Sequence, residues 1–101
     1  MNIKIQHTHT REEARRRVTT LINKLKRQYG DQIQNLNEEW TDYTGTIEGS
    51  AKGYSLSGTI DVKEDVLDID LKLPFLLQVF GNKIRSVVEE QVKKELSDGK
   101  A

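Results

Sequence analysis

The chain has 101 residues, 35% of them hydrophobic and 32% charged, with no cysteine and a formal net charge of zero. That length supports one domain, residues 1–101, with one core and a flexible tail at about 97–101, while the lack of cysteine excludes disulfides, thiolate nucleophiles and cysteine-based metal sites. The opening MNIKIQ has no apolar run of signal-peptide length, and no stretch approaches the ~20 apolar residues of a membrane span, so a soluble, cytoplasmic protein is expected.

The zero net charge hides a segregation. Residues 11–29 carry seven basic side chains against Glu12 and Glu13, a net of +5, whereas residues 37–70 carry nine acidic ones against Lys52 and Lys63, a net of −7. A basic first helix thus accompanies an acidic sheet.

Ile3 and Ile5 alternate with Asn2, Lys4 and Gln6, the pattern of a short half-buried strand. Thr10 with Glu13 predicts a capping box, Thr8 being a rival cap, and opens a helix to about Tyr29. Its apolar face is Ala14, Val18, Leu21, Ile22, Leu25 and Tyr29, and Gly30 follows as a left-handed C-cap. Leu36–Tyr43 predicts a strand with Leu36 and Trp40 on one face, Tyr43 on the other and Glu38 on the Trp40 face, before a turn at Thr44–Gly45. The next strand turns Ile47, Gly49 and Ala51 inward, small residues that let a helix approach. After Gly53, Leu56, Gly58, Ile60 and Val62 face inward, and a tight turn at Lys63–Asp65 leads to the last strand, with Leu67, Ile69, Leu71 and Leu73 inward.

At Pro74 the alternation stops. Ile84, Val87, Val88, Val92 and Leu96 mark a final helix, which is expected to start at about Pro74 and to loosen at Gly81. Strands joined by short turns pair antiparallel, and one polar face leaves both helices on the other. The fold class is α+β, in the order β-α-β-β-β-β-α, an antiparallel twisted sheet with both helices packed on one face.

Candidate sites are few. His7 and His9 point the same way on extended backbone, but a metal site needs further ligands, so no metal and no cofactor are expected. The carboxylate pairs Glu38–Glu39, Glu64–Asp65, Asp68–Asp70 and Glu89–Glu90 fall on solvent faces or turns except Glu38, and no catalytic constellation stands out. GTIEGSAKG spaces three glycines on a strand, where they serve packing rather than phosphate binding. Arg11, Arg15 and Lys26 form a candidate basic docking face, although zero net charge and the absence of exposed interleaved aromatics argue against nucleic acid. Phe75, Leu76, Leu77, Val79 and Phe80 cover nearly all sides of a helix. Such a segment is either inserted between the sheet and the first helix, the simpler expectation, or a contact surface for polymer, lipid, a partner or a second copy in a homodimer.

Taken in order, HTHTREEARRRVTTLINKLKRQYG, the Trp40 strand and GTIDVKEDVLDIDLKLPFLLQVFGNKIRSVVEEQVKKEL resemble the polyhydroxyalkanoic acid system family, small bacterial proteins encoded beside genes for polyester storage granules. The resemblance spans essentially the whole chain and carries no catalytic residues. It implies a non-enzymatic accessory protein of the polyhydroxyalkanoate system, cytoplasmic and granule-associated, that contacts the granule surface or a granule protein. The alternative expectation is a small apolar-ligand-binding module with its pocket between the sheet and the C-terminal helix.

Overall fold

The alternating stretches form five strands, β1 (Asn2–Gln6), β2 (Gln34–Thr41), β3 (Thr44–Ala51), β4 (Tyr54–Val62) and β5 (Val66–Lys72). Helix α1 (Arg11–Gln28) follows β1, and a 3-10 helix (Phe75–Phe80) runs into α2 (Gly81–Ser97). The structure, a computed structural model, describes residues 1–97, Leu76 by its backbone only. Of the expected tail only Ser97 is described, as the last residue of α2; residues 98–101 lie outside the described residues.

The order β-α-β-β-β-β-α and the fully antiparallel sheet are as the pattern implies. The strands lie in the order β1-β5-β4-β3-β2, so β1 closes onto the last strand of the meander, pairing Ile3 with Ile69 and Ile5 with Leu67. These four and Ile60 and Val62 of β4 meet Ala14, Val18, Leu21 and Ile22 of α1 and Val92 and Leu96 of α2. All twelve are buried, Ile3 and Leu67 completely, and both helices therefore cover the same face.

Local chemistry departs from expectation in five places. Thr10 caps α1 by accepting the Glu13 amide at 3.1 Å, but the Glu13 carboxylate turns forward to Arg16 and Arg17 instead of completing the box. Gly30 has no positive φ; a Cβ there would lie 2.8 Å from the Lys26 carbonyl, so tight approach selects glycine. The first hairpin turns at Asp42, whose φ is 53°, and Tyr43 folds from that turn onto the core rather than continuing β2. Side chains of β2 and of the turn before it, not a helix, fill the space over the sheet glycines: Trp40 over Gly45, Ile33 and Leu36 over Gly49. Finally, Pro74 precedes the helical segment instead of opening it, with an extended ψ of 152°, and the following six residues form a 3-10 helix before α2 begins. The turn at Gly53, with φ of 83° and Lys52 at 52°, is as expected.

The Glu13 arrangement has a pH signature. Hydrogen bonding from Arg16, with Arg17 adding to it and desolvation opposing, holds the carboxyl at about 2, below its ordinary 4.5. A depressed folded-state value stabilises above the unfolded value and is lost as pH falls from about 4.5 toward about 2. Solvent screening keeps the contribution small. Denaturation midpoints measured across that window should fall more for the native chain than for Glu13→Gln; parallel curves would show the pair to be energetically silent.

Candidate functional site

Burial fades toward one end of the molecule. Along β5, Leu67 and Ile69 are buried but Leu71 and Leu73 only half so; along β4, Val62 and Ile60 give way to Leu56. In α1 the sequence runs from buried Ile22 through half-buried Leu25 to exposed Tyr29, and in α2 from buried Leu96 and Val92 back to half-buried Val88 and Ile84. The fading ends of β4, β5 and α2 share a location, because Leu71 pairs with Gly58, the Leu71 amide bonds the Met1 carbonyl, and Met1 reaches Gly81.

The 3-10 helix sits at this end. With three residues per turn, six residues give only two turns, and Leu77 is half-buried while Phe75 is 82%, Val79 81% and Phe80 54% exposed. Leu76 lies in the same turn. The expected insertion of this segment between the sheet and α1 is therefore not what forms: the core that α1 covers lies at the other end, filled by α1 and the second half of α2. Val87, 49% exposed, extends the apolar stripe along α2 through Ile84. Beside it is a depression of about 330 Å³ lined by Met1, Leu73, Gln78, Gly81, Asn82 and Arg85. Sequence reading missed these last polar residues, although the spacing 78, 82, 85 places them on one helical side.

The three basic residues singled out from the sequence all face the β2–β3 hairpin. Arg11 donates from Nε to the Val62 carbonyl at 3.0 Å and lies 4.2 Å from the Tyr43 ring centroid. The Arg15 guanidinium lies 5.1 Å from the Trp40 ring, and Lys26 reaches Glu38 at 3.5 Å. Glu38 does lie on the Trp40 face, accepting the indole N–H at 2.5 Å with its side chain only 10% exposed. An inward charge on an edge strand deters pairing with another sheet, so Glu38 has a structural reason to be there.

Against known proteins, residues 1–96 match the model of a family described as "Putative polyhydroxyalkanoic acid system protein". The chain belongs to this family. No curated protein and no solved structure matches it. The family description names a polymer system and no reaction, which is consistent with an accessory role.

The remaining candidates of this family member have structural partners. His7 is buried; its Nδ1 accepts the His9 amide at 3.1 Å, which leaves Nε2–H to donate to the Lys63 carbonyl at 2.9 Å. His9 Nε2 bonds the Leu96 carbonyl at 2.6 Å, and Arg17 bonds the Glu95 carbonyl at 3.0 Å, satisfying oxygens that the end of α2 leaves open. The two rings lie nearly parallel, 6.3 Å apart. Among the described residues no group of three or more His, Cys, Asp or Glu is placed to hold a metal ion. Replacing His7 by leucine leaves the His9 amide and Lys63 carbonyl without their partner, and is expected to cost about 1–3 kcal/mol in urea denaturation; an unchanged midpoint would mean that water replaces the ring.

On the outer face of the sheet, Asn2, Thr59, Asp61, Asp68 and Asp70 line a depression of about 330 Å³. The Asn2 amide, donating at 2.7 Å, and the nearby Lys4 and Lys63 charges lower the Asp68 pKa. A carboxylate held ionised in this way suits electrostatics, not proton donation. No depression described here is lined by Trp40, Phe75 or Phe80, and the Trp40 indole packs directly over Gly45. Among the described residues no helix is long and apolar enough to cross a membrane.

Proposed function

We propose that this protein is a non-enzymatic accessory protein of the polyhydroxyalkanoate storage system that docks on the granule through its 3-10 helix. One observation carries the reading: Phe75 and Val79, more than four-fifths exposed, and Phe80, more than half exposed, sit together on a two-turn helix at the thinly covered end of the core. Water-exposed apolar clusters on a small domain are interaction surfaces as a rule, and the family supplies the setting. The partner is the granule surface or a protein on it, and the protein works in the cytoplasm, where such granules lie. A homodimer through the same helix would hide these side chains in the free protein and expose them on docking.

Cell fractionation tests the reading. In a polyester-producing cell the protein should sediment with isolated granules and remain through a salt wash, since apolar contact is not screened by salt. Recovery entirely in the soluble fraction would refute docking.

A further inference from the structure

Resting on that docking role, we propose that the occupant of this face is the polyester itself, with its ester carbonyls received by the donors of Gln78, Asn82 and Arg85. A poly(hydroxyalkanoate) chain presents alkyl groups and carbonyl acceptors; between its two ends it has no N–H or O–H. A surface fitted to it supplies apolar contact and hydrogen-bond donors, and a carboxylate, which only accepts, has nothing to bond there.

Residues 71–88 have that composition. They contain no aspartate or glutamate, although the chain holds 16, and they carry Lys72, Lys83 and Arg85. The depression of about 330 Å³ combines an apolar wall, Met1 and Leu73, with the three donors on one helical side, Gln78 using one of its two amide N–H groups on the Leu73 carbonyl at 3.5 Å. Its volume lies within the ~300–1,000 Å³ of ordinary ligand sites. The exposed Phe75 and Val79 share the 3-10 helix with Gln78, so a polymer strand lying along this segment meets both apolar surface and donors. A protein partner presents donors as well as acceptors and gives no reason for a carboxylate-free surface. An anionic bilayer is read by clusters of about four to eight basic residues, more than the three present here.

The full chain, bound to protein-free amorphous poly(3-hydroxybutyrate) particles and to polystyrene particles of equal size, separates ester recognition from general adhesion. The native chain should favour polyester at least ten-fold. Asn82→Ala combined with Arg85→Met, checked for native circular dichroism, should lose that preference while keeping its polystyrene binding. Equal binding to both particles, or a preference that survives the double substitution, overturns the proposal. So does binding to native granules but not to stripped polyester, which assigns the face to a granule protein and leaves docking standing. Capture by phosphatidylcholine–phosphatidylglycerol vesicles in place of polyester overturns it in favour of lipid. Failure on native granules as well removes the docking role itself.

Discussion

Replacing Phe75, Val79 and Phe80 together by serine is expected to release the protein from granules without unfolding it. The two halves of that expectation rest on the same exposure values. Side chains 82%, 81% and 54% exposed have little burial to lose in the free protein, so stability should change by less than about 1 kcal/mol. On docking the same side chains pass from water to an apolar surface. Full burial of a Val or Phe side chain is worth roughly 1.5–3 kcal/mol; counting only the part still exposed, the three together supply about 4 kcal/mol. Each 1.4 kcal/mol is a factor of ten, so the triple variant should bind granules at least about 100-fold more weakly. Granule co-sedimentation over a concentration series, with thermal unfolding alongside, measures both. A variant that remains fully granule-bound would place the contact elsewhere on the molecule, and one that unfolds would show the segment to be core after all.

Why this helix lies outside was not written in its periodicity. An alternating strand declares which face is wet, and Leu67–Leu73 was read correctly on that ground. Phe75–Phe80 is apolar at five of six positions, so it has no polar side to orient it. Its placement depends on whether the core has room. Ala14, Val18, Leu21 and Ile22 of α1 and Val92 and Leu96 of α2 already pack over Ile3, Ile5, Leu67 and Ile69, and the core is built without either phenylalanine. The helical type was also hidden: Pro74 fits before a 3-10 turn as well as at the first position of an α-helix. The Thr10 cap was legible because it is local, with donor and acceptor three residues apart. The rest of the expected box failed because Arg16 and Arg17, one turn on, attract the Glu13 carboxylate more strongly than a backbone amide does.

The alternation also placed Glu38 on the inner face, and the structure explains what tolerates a carboxylate there. Lys26 comes from the facing helix and the Trp40 indole from the same strand, so charge and lone pairs are both met. Arg15 and Arg11 continue this polar seam along α1, their cationic heads over Trp40 and Tyr43. The segregation of basic helix from acidic sheet is thereby partly spent within the molecule. The basic stripe closes the β2–β3 side of the fold, which the twelve buried core residues do not reach, while Phe75, Val79 and Phe80 of the 3-10 helix stay exposed.

The seam predicts the second large effect, at a residue with no side chain. Gly45 is buried directly opposite Trp40 in the β2–β3 register, and a Cβ there would come within 2.8 Å of three indole carbons. At Gly58 a new Cβ would come within 2.9 Å of Leu71 Cδ2, the end of a flexible chain that can turn aside, and 3.3 Å from the Asp70 carbonyl. The indole has less freedom, being rigid and held by Glu38 on its N–H, with Arg15 over its ring. Gly45→Val must therefore displace the ring, at the roughly 1–3 kcal/mol of an overpacked site. It also breaks the hydrogen bond to a largely buried carboxylate, a further ~1.5–3 kcal/mol. A net loss of about 3 kcal/mol is expected, against about 1 kcal/mol for Gly58→Ala. Trp40 is the sole tryptophan, so its fluorescence reports both the denaturation curve and the displacement, as a red-shifted emission in the folded variant. If Gly45→Val unfolds at the native midpoint with unshifted emission, the ring swings away freely and the seam is not what holds the β2 edge to α1.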